Sequence, residues 1–204
     1  MQLHRHDVVA KATQLLDDYG IADLTMRRLA RELSVSPGAL YWHFADKQEL
    51  LGAVADAILA PVPTTVHDAS WSRRVVGLGT ALRDALLSTT DGAELVSASF
   101  AAGKSVRMTE ILAQLTDAAT EGGIDASHAD LAARTVLYYV LGFTADEQSR
   151  LQWDAAGALV DGQSVLVSNP NARFAFGLKL LVDGIAVHSD ASEFRMGAKR
   201  GVGS

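Results

Sequence analysis

The chain has 204 residues, 49% of them apolar, which is enough for one large domain or for a small domain joined to a larger one. It has no cysteine, so disulfides, zinc–thiolate sites and thiol nucleophiles are excluded, and no stretch approaches the roughly 18 consecutive apolar residues of a membrane span. The formal net charge is −6, so any contact with nucleic acid must come from local placement of basic groups. The N-terminus lacks an apolar signal core, and we expect a cytoplasmic protein without a membrane partner.

The first two helices are predicted from spacing and caps. Apolar residues recur at helical intervals over 7–19, and Gly20 follows in the position that a C-cap glycine prefers. Thr25 is a suitable N-cap for a second helix over 26–33. A third helix and a fourth follow closely along the chain.

The third helix is short and begins with a proline. Ser36 is its predicted N-cap and Pro37 its first residue, because proline suits the first turn of a helix, and we expect it to end near residue 44. The sequence "DKQE" (46–49) is a capping box and predicts a fourth helix over 47–59.

The composition changes at residues 61–70, where two prolines interrupt the helical pattern, and we place a domain boundary there. No strand alternation is convincing on either side, so the predicted fold class is all-α. The tail over 191–204 is predicted to be disordered. Further helices are predicted at about 71–89, 92–98, 105–121, 126–150, 155–164 and 170–188.

The second and third helices have the spacing of a helix-turn-helix, with a three-residue turn between two helices of about eight residues. Such a unit exposes the N-terminal residues of its second helix, which in DNA-binding proteins meet base edges in the major groove. The alternative is that the aromatic residues of "LYWHF" (40–44) simply pack between helices. The core of the unit would use Leu29, Ala30, Leu33, Val35 and Leu40.

The segment "LTMRRLARELSVSPGALYWHFADKQELL" (24–51) resembles the DNA-binding domain of the tetracycline-repressor (TetR) family. The run "LYWHF" with a lysine shortly after it is the most specific part of the likeness. The segments 82–96, 139–148 and 174–185 are similar to parts of the tetracycline repressor's own C-terminal branch, so the resemblance covers most of the chain.

This resemblance implies a division of labour along the chain. Residues 1–46 would form the helix-turn-helix DNA-binding domain, and residues 47–64 a connecting helix and linker. Residues 65–190 would form a larger helical domain for effector binding and dimerisation, followed by the tail.

The resemblance also implies a set of DNA contacts. Arg27 stands where the family directs an arginine to a guanine, a bidentate contact that discriminates by about 1–3 kcal/mol. Small residues at the tip of the third helix let its backbone approach the bases, and Tyr41, His43 and Lys47 match family contacts to the DNA backbone. The predicted DNA-binding residues are Thr25, Met26, Arg27, Ser36, Pro37, Gly38, Ala39, Tyr41, Trp42, His43 and Lys47.

Two departures from the family pattern are expected to matter. Ser34 stands in the turn where glycine is common, so it is predicted to hold a positive φ at some cost. The triplet at the tip of the third helix differs from that of the tetracycline repressor, so a different operator sequence is expected.

The last two long helices are predicted to pair with their copies in a four-helix bundle, as the resemblance implies for a homodimer. Their apolar residues are more than one protomer easily covers, although each could instead be ordinary core. Gly177 and Gly184 would allow close approach. The predicted interface is Leu131, Thr135, Phe174, Leu178, Leu181 and Ile185, with Leu141 and Val182 in support.

The effector pocket departs from the family where the tetracycline repressor binds a magnesium chelate. Val96 replaces the metal-binding histidine, Leu78 an asparagine and Pro63 a second histidine. We therefore predict an apolar pocket for a small, drug-like molecule, with no metal and no cofactor, and tetracycline is not expected as effector. The predicted lining is Pro63, Leu78, Leu82, Val96, Ser99, Phe100, Gln114 and Asp146.

These features favour a ligand-responsive, homodimeric transcriptional repressor of a pseudo-palindromic operator. The alternatives are an activator of the same fold, a repressor relieved by a protein partner, and a ligand-sequestering protein with a vestigial DNA-binding head. An enzyme is not expected, because the histidines lie on different elements and no acid–base pair is evident. His4 and His6 could bind a metal ion weakly, but we favour a flexible basic arm that reaches DNA.

Overall fold

A computed structural model describes residues 3–63, 70–158 and 169–200, with the backbone alone described over 189–200. Within these ranges the chain is helical, with a short 3-10 turn (Ile21–Asp23) and no strand, as the predicted all-α class requires. The helices are α1 (Arg5–Tyr19), α2 (Met26–Glu32), α3 (Pro37–Tyr41), α4 (Lys47–Ile58), α5 (Trp71–Leu87), α6 (Gly92–Ala101), α7 (Val106–Glu121), α8 (Ala126–Ala155) and α9 (Pro170–Arg200).

The small N-terminal domain, here called the head, consists of α1, α2 and α3. Thr25 caps α2 by accepting a hydrogen bond from the Arg28 backbone N–H (3.1 Å), as predicted. Ser34 has a φ of 56°, so the predicted left-handed residue in the turn is confirmed. Ser36 occupies the N-cap position of α3, but its side chain makes no capping hydrogen bond. Leu29, Ala30 and Leu40 are buried as predicted, and Leu33 and Val35 are half-buried against them.

The larger C-terminal domain is built around α8, which packs against α5, α6, α7 and α9. Close approach between α5 and α9 depends on Gly79, because a Cβ at that position would lie 2.9 Å from Leu178 Cδ2. The fourth helix bridges the two parts of the molecule, since α4 packs against α1 in the head and against α6 and α7 in the larger domain.

Several helix boundaries differ from the sequence predictions, and α6 ends at Ala101 and not near residue 98. The third helix ends at Tyr41, and α8 continues to Ala155, so residues 156–158 form a turn where the predicted helix over 155–164 would begin. The rest of that predicted helix lies outside the described residues. The last helix continues to Arg200, so the predicted disordered tail is helical over 191–200. No proline follows Pro170, and a helix that has been nucleated by packing extends until something stops it.

Candidate functional site

The aromatic run in the head divides between core and solvent. Leu40 and Phe44 are buried, whereas the Tyr41 residue is 53% exposed and Trp42 is 90% exposed. The alternative that these aromatics pack between helices is therefore wrong for Tyr41 and Trp42. His43 is half-buried beside them. Helix α3 thus presents a large aromatic surface that the chain itself does not cover.

The N-terminal tip of α3 is open, as a base-reading helix requires. Pro37 and Gly38 are exposed and Ala39 is half-buried. A Cβ at Gly38 would have only the Ser36 hydroxyl within 4 Å, at 3.8 Å. The backbone of this turn can therefore approach another surface closely.

Two neighbouring arginines of α2 have different environments. Arg28 pairs with Asp23 and lies over the Tyr19 ring, with its guanidinium carbon 3.8 Å from the ring centroid. Arg27 is exposed, and it is the arginine predicted to contact a base. Met26, predicted at the edge of the groove, is half-buried against the core. Arg27 is therefore exposed to solvent, whereas the Arg28 guanidinium is held within the head.

The C-terminal end of α3 is held by Arg5, which the sequence analysis did not identify. Arg5 donates to the His43 carbonyl, lies 4.1 Å from the Phe44 ring centroid and pairs with Glu49 at 3.0 Å. Glu49 also accepts from the Ala45 N–H at 2.8 Å. No sequence signal links residues that lie 38 and 44 positions apart.

This network acts on the ionisation of Glu49. The pKa of Glu49 lies below its ordinary value, chiefly because the Ala45 N–H donates to the carboxylate and then because Arg5 donates to it. Asp46 forms one half of the predicted capping box by accepting from the Glu49 N–H at 2.7 Å, whereas the Glu49 carboxylate accepts from the Ala45 N–H and not from that of Asp46. The start of α4 and the end of α3 are therefore fixed relative to each other.

The N-terminal histidines do not form a flexible arm. His4 is the N-cap of α1, and its backbone N–H donates to Asp7 at 3.0 Å. His6 lies inside α1, and its ring stacks on that of His4 with 5.6 Å between centroids. The prediction of a floppy basic arm is wrong because the helix starts four residues into the chain.

The predicted effector residues separate into interior and surface groups. Leu78, Leu82 and Val96 are buried in one continuous apolar core, and Ser99 is buried with its hydroxyl unpaired among the described residues. Half-buried Phe100 and Gln114 lie at the border of this interior.

Two predicted pocket residues lie on the surface. Asp146 is exposed and forms an ion pair with Arg150 at 2.8 Å along α8, so its prediction as a pocket residue is wrong. Pro63 is exposed at the edge of a described range. The carboxylate that does enter the interior belongs to the next residue, Glu147.

Glu147 forms a buried ion pair with Arg83 that the sequence analysis missed. Arg83 donates from Nε to Oε2 at 2.8 Å and from Nη2 to Oε1 at 2.6 Å, and both side chains are buried. The guanidinium also lies 5.1 Å from the Phe174 ring centroid. Because the two charges neutralise each other in a bidentate pair, this interior has no net charge to offer a ligand.

Helix α9 has an inner face and an outer face, and the predicted interface mixed the two. Phe174 and Leu178 are buried within one protomer, so their prediction as dimer contacts is wrong, whereas Ile185, although mostly buried, lines the groove between α8 and α9. Leu131 and Thr135 are exposed as predicted, and Leu181 is half-buried. Five large side chains of α8 and α9 point to solvent, and we call them the outer face: Leu131, Tyr138, Phe176, Leu180 and Val187.

The outer face borders an apolar groove of about 350 Å³ between α8 and α9. Leu131, Thr135, Leu181 and Ile185 line it together with Leu180. Gly142 and Gly184 would have no atom within 4 Å of an added Cβ, so two helices of another molecule could approach closely there.

Other functional classes find little support in the described part of the chain. No group of three histidine, aspartate or glutamate side chains there is arranged to hold a metal ion. No helix among the described residues is long and apolar enough to span a bilayer.

Comparison with known proteins agrees with this arrangement. Residues 8–54 match the model of bacterial regulatory proteins of the tetR family, and residues 63–161 match the tetracyclin repressor-like C-terminal domain. The tetracycline repressor protein class A from transposon 1721 of Escherichia coli is 33% identical over 203 residues, covering 91% of each chain.

Solved structures are also similar over most of the chain. Mycobacterium smegmatis BioQ is 64% identical with a TM-score of 0.86, over 92% of this chain and 99% of that one. BioQ solved with its natural double-stranded DNA operator is 61% identical with a TM-score of 0.80, over 91% and 99%. The chain belongs to the tetR family of bacterial regulatory proteins, and it is a helix-turn-helix DNA-binding transcription factor and not an enzyme.

Proposed function

We propose that this protein is a homodimeric repressor that holds a pseudo-palindromic operator with one α3 helix per protomer and releases it when a small, largely apolar molecule enters the C-terminal domain. The observation that carries the proposal is the exposed surface of α3, where the N-terminal tip at Gly38 is open and Trp42, at the C-terminal end, is 90% exposed. An exposed indole N–H and a backbone that can be approached closely suit contacts to a duplex. Because a bacterial operator lies in the cytoplasm, we infer a cytoplasmic location for the protein.

The proposed DNA contacts are of two kinds: contacts to bases, which recognise the sequence, and contacts to phosphates, which position the protein. Exposed Arg27 is proposed to donate to a guanine, and the tip residues Gly38 and Ala39 to meet base edges. Tyr41 and Lys47 are proposed to meet phosphates, where they add affinity without sequence preference. The 61% identity to the BioQ that was solved with its operator supports that duplex as the first one to test.

Dimerisation is proposed to use the outer face. Its exposed side chains, such as Tyr138 and Leu180, are apolar, and the glycines Gly142 and Gly184 leave room for a partner's helices. A two-fold pair of protomers would present two α3 helices to successive major grooves, which accounts for a pseudo-palindromic operator.

The effector is proposed to be neutral and mostly apolar. The interior around Leu82 and Val96 is apolar, and the nearby Arg83–Glu147 pair is already satisfied. An anionic or metal-chelated ligand would have to break that pair or bring its own charge into an apolar environment. A ligand that prefers the non-binding conformation by about 2.7 kcal/mol would lower operator occupancy about a hundredfold.

A gel-shift experiment tests the central proposal. The probes are the BioQ operator duplex, the chain's own promoter region and a scrambled duplex, each at low and high salt. We expect specific binding that weakens as salt rises, because cationic side chains displace counterions. Binding that shows neither salt dependence nor preference for an operator would favour the ligand-sequestering alternative.

Two further measurements test whether the protein represses or activates transcription and which ligand it binds. Deleting the gene should raise transcription from the bound promoter, and a fall would favour the activator. A thermal-shift screen of lipophilic compounds should find molecules that stabilise the protein, and only a stabilising molecule that also weakens operator binding qualifies as an effector.

A further inference from the structure

The connecting helix α4 supplies the N-terminal cap of α7 from across the domain boundary. Asp56 Oδ1 accepts from the Ser105 hydroxyl at 2.7 Å and from the Arg107 N–H at 3.0 Å, and Oδ2 accepts from the Val106 N–H at 3.3 Å. The first N–H groups of a helix have no partner within the helix. The start of α7 is therefore completed by a side chain of α4.

A side chain of α7 in turn contacts the C-terminal end of α4. Arg107, in the first turn of α7, donates from Nη2 to the Ala60 carbonyl at 3.2 Å and to the Val62 carbonyl at 2.6 Å, just beyond the end of α4. A carboxylate thus meets the positive end of α7, and a guanidinium lies at the negative end of α4. Each helix is capped by the other, and we call this pair of contacts the reciprocal cap.

Close backbone packing supports the reciprocal cap. A Cβ at Gly52 of α4 would lie 2.3 Å from the Lys104 carbonyl oxygen, so the helix touches the loop before α7 directly. The Ser105 hydroxyl, besides donating to Asp56, accepts from the Met108 N–H at 3.1 Å. These contacts leave little freedom for α4 to move without α7.

A second junction between the head and the C-terminal domain lies at the N-terminal end of α6, whereas the reciprocal cap lies just after its C-terminal end. At this second junction Asp91, which has a φ of 54°, accepts from the Ile21 N–H at 2.9 Å and from Gln152 Nε2 at 2.6 Å. Asp17 accepts from the Thr90 N–H at 2.9 Å. This junction holds a turn of the head, whereas the reciprocal cap holds α4, the helix that begins next to the DNA-binding α3.

We propose that Asp56 is the positioning residue that makes α4 and α7 move as one body, so that the C-terminal domain and the DNA-binding head sense each other's state through the reciprocal cap. The inference rests on the proposed operator binding. Asp56 accepts two of its three hydrogen bonds through Oδ1, so the geometry of this acceptor matters more than the charge of the carboxylate. Asp56→Ala should uncouple the domains, and Asp56→Asn should largely preserve the coupling because an amide oxygen can replace Oδ1.

Hydrogen exchange with the BioQ operator duplex as probe tests this coupling. The readout is the change in exchange on adding saturating duplex over residues 109–121 of α7, beyond the amides that Asp56 itself holds. In the wild-type chain we expect the duplex to slow exchange there by about tenfold, because binding at α4 restrains α7. In Asp56→Ala the slowing should fall below about twofold although the duplex is bound.

The matched control is Asp117→Ala, which removes an exposed carboxylate from the same helix and should keep the wild-type response. Equal slowing in Asp56→Ala and the wild-type chain, or no slowing in a wild-type chain that binds the duplex, would overturn the inference. A wild-type chain that fails to bind any operator duplex would instead overturn the proposed function.

A second variant protects the test against loss of folding. Arg107→Gln removes the donors to Ala60 and Val62 but leaves the Asp56 cap of α7, and it should reduce the coupling in the same assay. Glu110→Gln is its control, because Glu110 pairs with Arg107 at 3.1 Å without crossing the domain boundary. If Asp56→Ala loses cooperative unfolding, an unchanged response in Arg107→Gln overturns the inference.

Discussion

Apolar side chains are exposed both at α3 and on the outer face of α8 and α9. On α3 the exposed rings of Tyr41 and Trp42 lie close in sequence to the cationic side chains of the predicted DNA contacts. On the outer face, Tyr138 and Leu180 are similarly exposed, but the charged groups of α9 nearby, such as Lys179 and Asp183, are paired with each other at 2.6 Å.

The difference shows that exposure alone does not identify a partner. An exposed aromatic surface on a helix whose first turn is open, in a domain that also carries an exposed arginine, suits a polyanion. An apolar surface whose charges are already paired, and whose glycines leave space, suits a second apolar helix surface. The two surfaces therefore point to DNA and to a second protomer respectively, and substitutions can separate them.

The largest expected effect comes from Leu180→Asp on the outer face. A charge there should prevent dimerisation without unfolding the protomer, because the side chain is 55% exposed. Operator affinity should fall by more than about a hundredfold, since each protomer alone holds only half of the site. Light scattering and gel shifts measure the two consequences.

Leu178→Asp is the matched comparison on the inner face. Leu178 is buried against α5 near Gly79, so a charge there should unfold the domain and not merely separate protomers. Monomers that remain cooperatively folded in Leu178→Asp, or dimers that persist in Leu180→Asp, would contradict this assignment of faces.

A smaller effect is expected from Arg27→Ala in the head. Loss of the proposed guanine contact should cost about 1–3 kcal/mol of operator binding and relax sequence preference at one position. Arg28→Ala is the control, because Arg28 pairs with Asp23 and should affect stability of the head more than base preference. Unchanged footprints and unchanged competition by base-substituted operators in Arg27→Ala would refute the contact.

Glu49→Gln should have a small, pH-dependent effect on the stability of the head. The folded-state pKa of Glu49 is lowered, so its ionised form stabilises the head above the ordinary value of 4.5, and this contribution is lost as the pH falls through the folded-state pKa. Urea unfolding should separate the variant from the wild-type chain at neutral pH but not in acid. Glu32→Gln, which changes an exposed carboxylate of α2, is the matched control and should not reproduce this pH-dependent difference. A stability difference between Glu49→Gln and the wild-type chain that grows in acid would contradict the assignment.

No effect is expected from chelation of metals. Val96 was predicted from the resemblance to replace a metal-binding histidine, and it is buried among apolar residues. Thermal shifts caused by hits from the lipophilic screen should therefore be equal with EDTA and with added Mg²⁺. A response that disappears in EDTA would show that the effector is recognised through a metal.

Local signals in the sequence predicted the head in detail. Caps at Thr25 and Asp46 and the buried positions Leu29 and Leu40 follow from rules that involve neighbouring residues only, whereas the positive φ of Ser34 was predicted from the resemblance to the family. The aromatic run that resembles the family was likewise readable without tertiary structure. The DNA contacts themselves remain predictions, and only their exposure has been observed.

The C-terminal domain was predicted less well, because helical periodicity tells which residues share a face but not what covers that face. One residue along a helix is a rotation of about 100°, which is enough to place Asp146 in solvent and Glu147 in the core. The same ambiguity placed Leu178 in the predicted dimer interface, although Leu178 is buried and Leu180 is exposed.

By itself, the sequence determined the all-α class, the helix-turn-helix and the absence of thiol chemistry, since each depends on composition or on residues close along the chain. Only the tertiary structure decided which face of α9 is core, that Arg5 supports α3, and that Asp56 of α4 caps α7. Those features join residues tens of positions apart, and such pairings are set by how helices pack and not by any local propensity.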